Sequence, residues 1–400
     1  MMKALTAVVL CAVFATGAPP QPESSVAMSA LTQPYEHFGF DVLRELRSHH
    51  PDGNVFMSPT SIAIALAMTS NGSSGTTREA ILKTLHADGQ SIDAFNAANR
   101  ELAEQMAKTT SVQLSMANAL WLEQELPVNP SFVQTLEIAF GAHAQNVNFR
   151  SPAALETINA WVAQHTNNRI EKILDNVDPA TIAVLTNAIA FKGKWTAPFD
   201  PKMTQQHEFK TGSGAARQVQ MMKHTAEYRY ANADGLEVIR LPYADGTFAM
   251  YVVLPQDATR MDSFVEKLTP EAFTELLSSL RTQNGTIELP RFTTKNDTTL
   301  NTVLKKLGMG IAFSDSANFN DISKAPKQSQ ISEVRHASFL SVDEEGTEAA
   351  AATSVGIRAT AMRVEAPPFH MVVDHPFCVA IRDERNGQLL FTGVIAEPEG

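Results

Sequence analysis

Four hundred residues, 44% hydrophobic and 19% charged, with 20 Gly and 21 Pro, make a chain too apolar for a disordered tail and too irregular for a fibrous repeat. Its 32 basic against 43 acidic residues leave a net charge of −11 at pH 7, without the excess positive field that a nucleic-acid partner demands. Length alone admits one large domain or several average ones.

The amino terminus has the parts of an export signal: Lys3, the apolar run Ala4–Ala15, and the small residues Thr16, Gly17 and Ala18 ahead of a polar, proline-containing stretch. An apolar run of about 12 residues is too short for a bilayer, which takes about 20. Residues 1–17 are therefore expected to be removed, with a later candidate cleavage point at Ala27. The mature chain is expected to be secreted, extracellular or periplasmic, with no membrane partner. Cys11 lies in that segment, so the exported chain keeps one thiol, Cys378, and no internal disulfide. Within an apolar run, Cys378 reads as a small buried hydrophobe. Sequons at Asn71, Asn284 and Asn296 matter only in a host that glycosylates exported proteins.

The first third of the chain is helical in period. Tyr35–Leu46 places Phe38, Phe40, Val42, Leu43 and Leu46 along one face, and Pro59–Met68 follows with Ser58 as its cap and Pro59 at its first position. Further helices are expected over Arg78–Leu85, Ala94–Lys108 and Ala153–Leu174. Strands are expected over Val112–Leu122, Ile182–Phe191, Glu237–Leu241, Thr247–Leu254, Thr286–Pro290, Phe377–Asp383 and Leu389–Ile395. Helices and strands interleave without a regular βαβ alternation or a Gly/Ser linker, which favours one α+β domain over residues 30–400.

One segment departs from the rest, Glu344–Pro368. Four consecutive alanines, Ala349–Ala352, suit a short exposed helix, but no apolar stripe could dock it. Ordered loops longer than about 12–15 residues are usually functional. As a strand, the period of two puts Thr347, Ala349, Ala351 and Thr353 on one face and Glu348, Ala350, Ala352 and Ser354 on the other. A face that small throughout is what a strand entering an already packed sheet would need.

These residues resemble the serpin family over nearly the whole mature chain. Asn54-Val55-Phe56-Met57-Ser58-Pro59-Thr60-Ser61-Ile62 is similar to its N-x-hydrophobic-x-S-P-x-S-I segment, and Ala117-Asn118-Ala119-Leu120-Trp121 to its A-N-x-L-W strand. Asn187-Ala188-Ile189-Ala190-Phe191-Lys192-Gly193-Lys194-Trp195 matches N-A-x-x-F-K-G-x-W. Val219–Met222, Leu289–Phe292, His336, Asp374–Phe377 and Leu390–Gly393 follow in the family's order.

The resemblance implies a single α+β domain of three β-sheets and eight or nine helices, with an exposed reactive-centre loop within 344–368. It implies a suicide-substrate inhibitor of serine proteases, with cysteine proteases as a further target class, and not an enzyme; its cleaved loop inserts into the central sheet. Glu344, Glu345, Gly346, Thr347, Glu348, Ala349, Ala350, Ala351, Ala352 and Thr353 would be the hinge. The family's commonest loop spacing, counted from Glu344, puts the scissile bond at Thr360-Ala361, with Arg358, Met362 and Arg363 as alternatives. Ser58, Ser61, Asn187 and His336 match the shutter beneath the central strands. Trp195, Arg291 and Glu344 match the breach at the top of the sheet. A non-inhibitory carrier or chaperone is the alternative within the family.

Enzyme signatures do not compete. The sequence holds no G-x-S-x-G, no H-E-x-x-H, no paired Cys and no phosphate-binding loop, and His49-His50 precedes a Pro51-Asp52-Gly53 turn as a solvated loop would. No cofactor or metal is expected. Ala94–Lys108 carries Arg100 and Lys108 but no basic face for heparin, and the expected partner is a target serine protease, met by a monomer.

Overall fold

The computed structural model describes residues 23–323, 330–346 and 367–399, with side chains from Ala30 onward. The α-helices among them are α1 (Glu23–His49), α2 (Pro59–Asn71), α3 (Gly75–Thr84), α4 (Ile92–Ala107), α5 (Pro130–Phe140), α6 (Pro152–His165), α7 (Met261–Lys267), α8 (Pro270–Ser278) and α9 (Asn301–Leu304). The strands are β1 (Val55–Met57), β2 (Gln113–Glu123), β3 (His143–Val147), β4 (Ala183–Lys192), β5 (Gln205–Lys210), β6 (Ala216–Ala233), β7 (Leu236–Tyr243), β8 (Phe248–Pro255), β9 (Arg281–Pro290), β10 (Phe292–Thr299), β11 (Glu333–Val342), β12 (Phe369–Val372), β13 (Phe377–Asp383) and β14 (Leu389–Ile395). No helix among the described residues is long and apolar enough to cross a membrane.

Local chemistry sets the helix ends. Ser58 Oγ accepts from the Ser61 amide at 3.2 Å and Pro59 opens α2, whose residues from Pro59 to Ser70 are all buried. A helix apolar on every side belongs in a core. In α5, which periodicity did not single out, Asn129 caps the start, Pro130 follows, and Gly141 closes the helix in the left-handed region at φ +57°. The helix expected over Ala153–Leu174 stops at His165. Thr166 Oγ1 donates back to the Val162 carbonyl and accepts from the Ile170 amide, while Asn167 and Asn168 take φ of 52° and 58°. Asn159 then holds the returning chain, accepting from the amides of Ile173 and Leu174.

The strands form two sheets among the described residues. One runs β10-β11-β4-β2-β3; the other runs β1-β14-β13-β8-β7-β6-β9-β12, with β5 added on β6. Where the resemblance implied three sheets, the long strand β6 joins two of them. Its first residues pair with β5, its middle with β9 and its last with β7.

The main core lies between the sheets and holds α2, Phe38, Phe56, Leu185, Phe191 and Phe391. Phe56 and Phe391 stack at 5.4 Å. A second, smaller core fills the opposite face of the five-stranded sheet. There Ala117, Ala119, Ala188, Ala190 and Ala337 form a floor of short side chains beneath Ile158 and Val162 of α6.

Candidate functional site

In the five-stranded sheet β4 is antiparallel to β2 and β11 is antiparallel to β10, but β4 and β11 run parallel from Glu333↔Val184 to Phe339↔Ala190. Parallel pairing is slightly less stable per residue than antiparallel. Beneath the middle of this junction the four residues matched to the shutter meet. His336 Nδ1 contacts Asn187 Oδ1 at 2.5 Å, and the Ser58 amide donates to His336 Nε2 at 3.2 Å. Asn187 Nδ2 donates to the Ser61 carbonyl at 3.0 Å and Oγ at 2.5 Å, and also to Asn118 Oδ1. Ser338 Oγ and Asn296 Nδ2 both donate to the Phe56 carbonyl, tying β11 and β10 to the strand before α2.

These partners define the imidazole's proton. A backbone N–H can only donate, so Nε2 of His336 must accept, and the proton sits on Nδ1, facing Asn187. A second proton on Nε2 would oppose the Ser58 amide. His336 is wholly buried, and burial pushes its pKa down to about 3, so it is neutral over the physiological range. Asn118 received no role from the sequence. Its signal was available, since it lies in the A-N-x-L-W motif and pairs in register with Asn187.

At the upper end of the junction the chain reverses. Asp343 and Gly346 form an antiparallel bridge, with Asp343 N donating to Gly346 O at 2.8 Å and Gly346 N returning to Asp343 O at 3.3 Å. Gly346 also bridges antiparallel to Lys194, just past β4. It takes φ +142°, and a Cβ there would lie 2.2 Å from the Gly193 carbonyl oxygen, so the close approach requires glycine. The segment is pinned from outside as well. Trp195 Nε1 donates to Asp343 O at 3.0 Å, Trp195 N to Glu345 O at 3.0 Å, and Phe199 N to Glu344 O at 2.7 Å. The Trp195 ring stacks on Tyr243 at 4.4 Å.

The residues matched to the breach are thus brought together. Arg291 Nη1 lies 3.7 Å from Glu344 Oε2, a loose pair with the guanidinium half exposed. The firmer partner is Thr204, whose Oγ1 donates to Glu344 Oε1 at 2.7 Å and which sequence reasoning did not find.

Several sequence expectations lie outside the described residues: Thr347, Glu348, Ala349, Ala350, Ala351, Ala352 and Thr353 of the hinge, the bond Thr360-Ala361, and Arg358, Met362 and Arg363. The described chain resumes at Pro367, and β12 then lies parallel to β9. Cys378 is buried, and burial pushes its thiol up to about 12, far from thiolate chemistry. Of the sequon asparagines, Asn71 Nδ2 donates to the Ala67 carbonyl and Asn296 Nδ2 to Phe56, whereas Asn284 is exposed. His49 and His50 are exposed, and no metal-holding group occurs among the described residues.

The family model described as Serpin (serine protease inhibitor) matches residues 33–398. The chain is 35% identical over 384 residues to leukocyte elastase inhibitor of Bos taurus, covering 93% of this chain and 100% of that protein. It is 32% identical over 385 residues to Serpin-Z2A of Triticum aestivum, covering 90% and 94%. Among solved structures, mouse protein-Z dependent protease inhibitor superposes with a TM-score of 0.85 at 26% identity, covering 94% of this chain and 99% of that one.

Proposed function

The chain belongs to the serpin family, and on that premise we propose that it is an exported, monomeric suicide-substrate inhibitor of serine proteases. The observation that carries this reading is the position of Gly346. β4 and β11 point the same way, so a strand leaving the Asp343–Gly346 reversal runs antiparallel to both, and Gly346 bridges to each side already.

Continuing that register sets Thr347 opposite Val342 and Gly193, Ala349 opposite Leu340 and Phe191, Ala351 opposite Ser338 and Ile189, and Thr353 opposite His336 and Asn187. Leu340, Phe191 and Ile189 face the main core, where a large side chain on the incoming strand would clash. On the other face Ala350 and Ala352 meet the alanine floor beneath α6, and Glu348 falls beside the half-exposed Ser341 and Lys192. Both faces therefore call for short side chains, a stricter demand than the one-sided pattern read from the sequence. At Thr353 the incoming strand separates His336 from Asn187, so the hydrogen bond between them must be exchanged.

In the proposed reaction the protease's serine oxygen attacks the Thr360 carbonyl. The bond to Ala361 breaks, its amine leaves with a proton supplied by the protease, and Thr360 remains as an ester on the enzyme. Insertion of 347 onward carries the ester away before water attacks it, so inhibition is a race between insertion and hydrolysis. The small residues Thr360 and Ala361 suit an elastase-like or subtilisin-like target, and a relative named leukocyte elastase inhibitor supports that class. Arg358 or Arg363 would suit a trypsin-like protease and Met362 a chymotrypsin-like one. Export rests on the segment Lys3–Ala18. No heparin dependence is included, since Lys108 pairs with Glu104 at 3.6 Å and Arg100 stands without a basic face. Incubation with an elastase-like protease should give an SDS-resistant adduct. Complete loop cleavage without one, across protease classes, would reassign the chain to the carrier or chaperone members.

A further inference from the structure

The reversal at the head of β11 is built by one side chain that the family motifs did not single out. Asp343 Oδ1 accepts from the amide of Glu345 at 3.0 Å and of Gly346 at 3.2 Å. Aspartate at the first position of a four-residue turn, closing on the amides that follow, is a self-contained turn former. Together with the reciprocal Asp343–Gly346 backbone bonds, it makes Asp343–Gly346 a finished β-hairpin turn with Glu344 and Glu345 at its tip. The donors of Trp195 and Phe199 then occupy the carbonyls of residues 343, 344 and 345. The turn that an inserting strand needs is present before any cleavage.

We propose that Asp343 is a positioning residue for loop insertion: its carboxylate holds the hairpin turn closed, so that the strand starts in register and insertion outruns hydrolysis of the acyl-enzyme. It touches neither the scissile bond nor the protease. Without it the Glu345 amide loses its acceptor and the turn is held by its backbone bonds alone, so it opens more often, and the entropy of closing it again slows the step that competes with water. What matters is an oxygen acceptor at this place and not the negative charge, because the two bonds are made to backbone amides. Asparagine keeps that oxygen and alanine removes it.

The proposal rests on the inhibitory reading, and its test keeps the two apart. An elastase-like protease is titrated with wild type, Asp343→Ala and Asp343→Asn, and the inhibitor consumed per protease trapped is measured. Amide hydrogen exchange at Glu345 and Gly346 is followed in the same proteins. D343A should lose protection at the Glu345 amide, with a smaller loss at Gly346, whose N–H keeps the Asp343 carbonyl at 3.3 Å, and should consume about three- to tenfold more inhibitor, while D343N should keep the protection and the wild-type consumption within about twofold. If D343A does not fold, Asp343→Ser takes its place, its shorter arm reaching one amide and giving an intermediate increase. Unchanged consumption in D343A, or D343N as impaired as D343A, overturns the proposal. A wild type that traps nothing while both amides stay protected overturns the inhibitory reading, and the positioning role with it, but leaves the turn standing.

Discussion

His336 Nδ1 donates to Asn187 Oδ1 at 2.5 Å, a side-chain hydrogen bond that crosses from β11 to β4 beneath the junction where the sheet is proposed to open. Opening at this level must break it. Its cost is therefore part of the barrier that keeps the uncleaved sheet shut.

Acid should weaken this latch in a defined window. His336 is held to a pKa of about 3 in the folded chain, against about 6.5 when unfolded. Below pH 6.5 the unfolded chain binds a proton that the folded one refuses, so stability present above that pH is lost progressively down to about 3. Denaturant unfolding of wild type and His336→Ala across pH 4–8 checks this. At neutral pH the variant should lose about 1–3 kcal/mol for each partner left unpaired, Asn187 and the Ser58 amide. Its midpoint should fall less steeply with acid than that of wild type.

Glu36 should act with the opposite sign. It is 3% exposed, its Oε1 has no hydrogen-bond partner, and burial raises its carboxyl to about 7, with Arg382 opposing and Glu271 adding to the rise. The folded chain binds the extra proton between the ordinary 4.5 and 7, so this contribution is full below pH 4.5 and lost as pH rises through 7. Glu36→Gln keeps the shape without the charge. It should be more stable than wild type at pH 8, by roughly 1–3 kcal/mol, and close to it at pH 4.5. An unchanged difference across that range would contradict the assignment.

At the upper end of the junction Thr204 should matter more than Arg291. The 3.7 Å pair with a half-exposed guanidinium predicts a loss under about 1 kcal/mol for Arg291→Ala, and less for Arg291→Lys. Thr204→Val leaves Glu344 Oε1 without its donor in a nearly buried site, and should cost about 1–3 kcal/mol. Thermal unfolding of the three variants ranks them directly.

Thr347→Arg should convert inhibitor to substrate. In the proposed register residue 347 enters beside Val342 and Gly193 on the core side of the sheet, where a guanidinium would find no partner. Cleavage should proceed at the wild-type rate with little adduct. Full adduct formation would show that insertion does not carry residue 347 into the sheet.

Much of this architecture can be read from residues alone where the chemistry is local. β13 and β14 end where the apolar runs Phe377–Asp383 and Leu389–Ile395 end, and α2 begins at the Ser58-Pro59 signal. β6 gives little local signal because only alternate residues along much of it, such as Val219, Met221, Tyr228 and Tyr230, are buried within a polar sequence. The helix through Ala153 ends before its helical period does, because Asn167 and Asn168 take their left-handed conformation only once Thr166 and Asn159 capture the chain. The shutter residues are scattered between positions 58 and 336 and were legible only through resemblance. Asn118 stands in the A-N-x-L-W motif, whereas Thr204 and Asp343 declare themselves through distances that no local pattern carries.

The measurement closest to the central claim is the mass, under denaturing conditions, of the product formed when the chain meets an elastase-like protease. Trapping at Thr360-Ala361 predicts a covalent species equal to the protease plus the inhibitor less the released peptide of residues 361–400, and that peptide begins with Ala361. Free protease at its unmodified mass beside a fully cleaved chain would contradict trapping, and a released peptide with another first residue would contradict the bond.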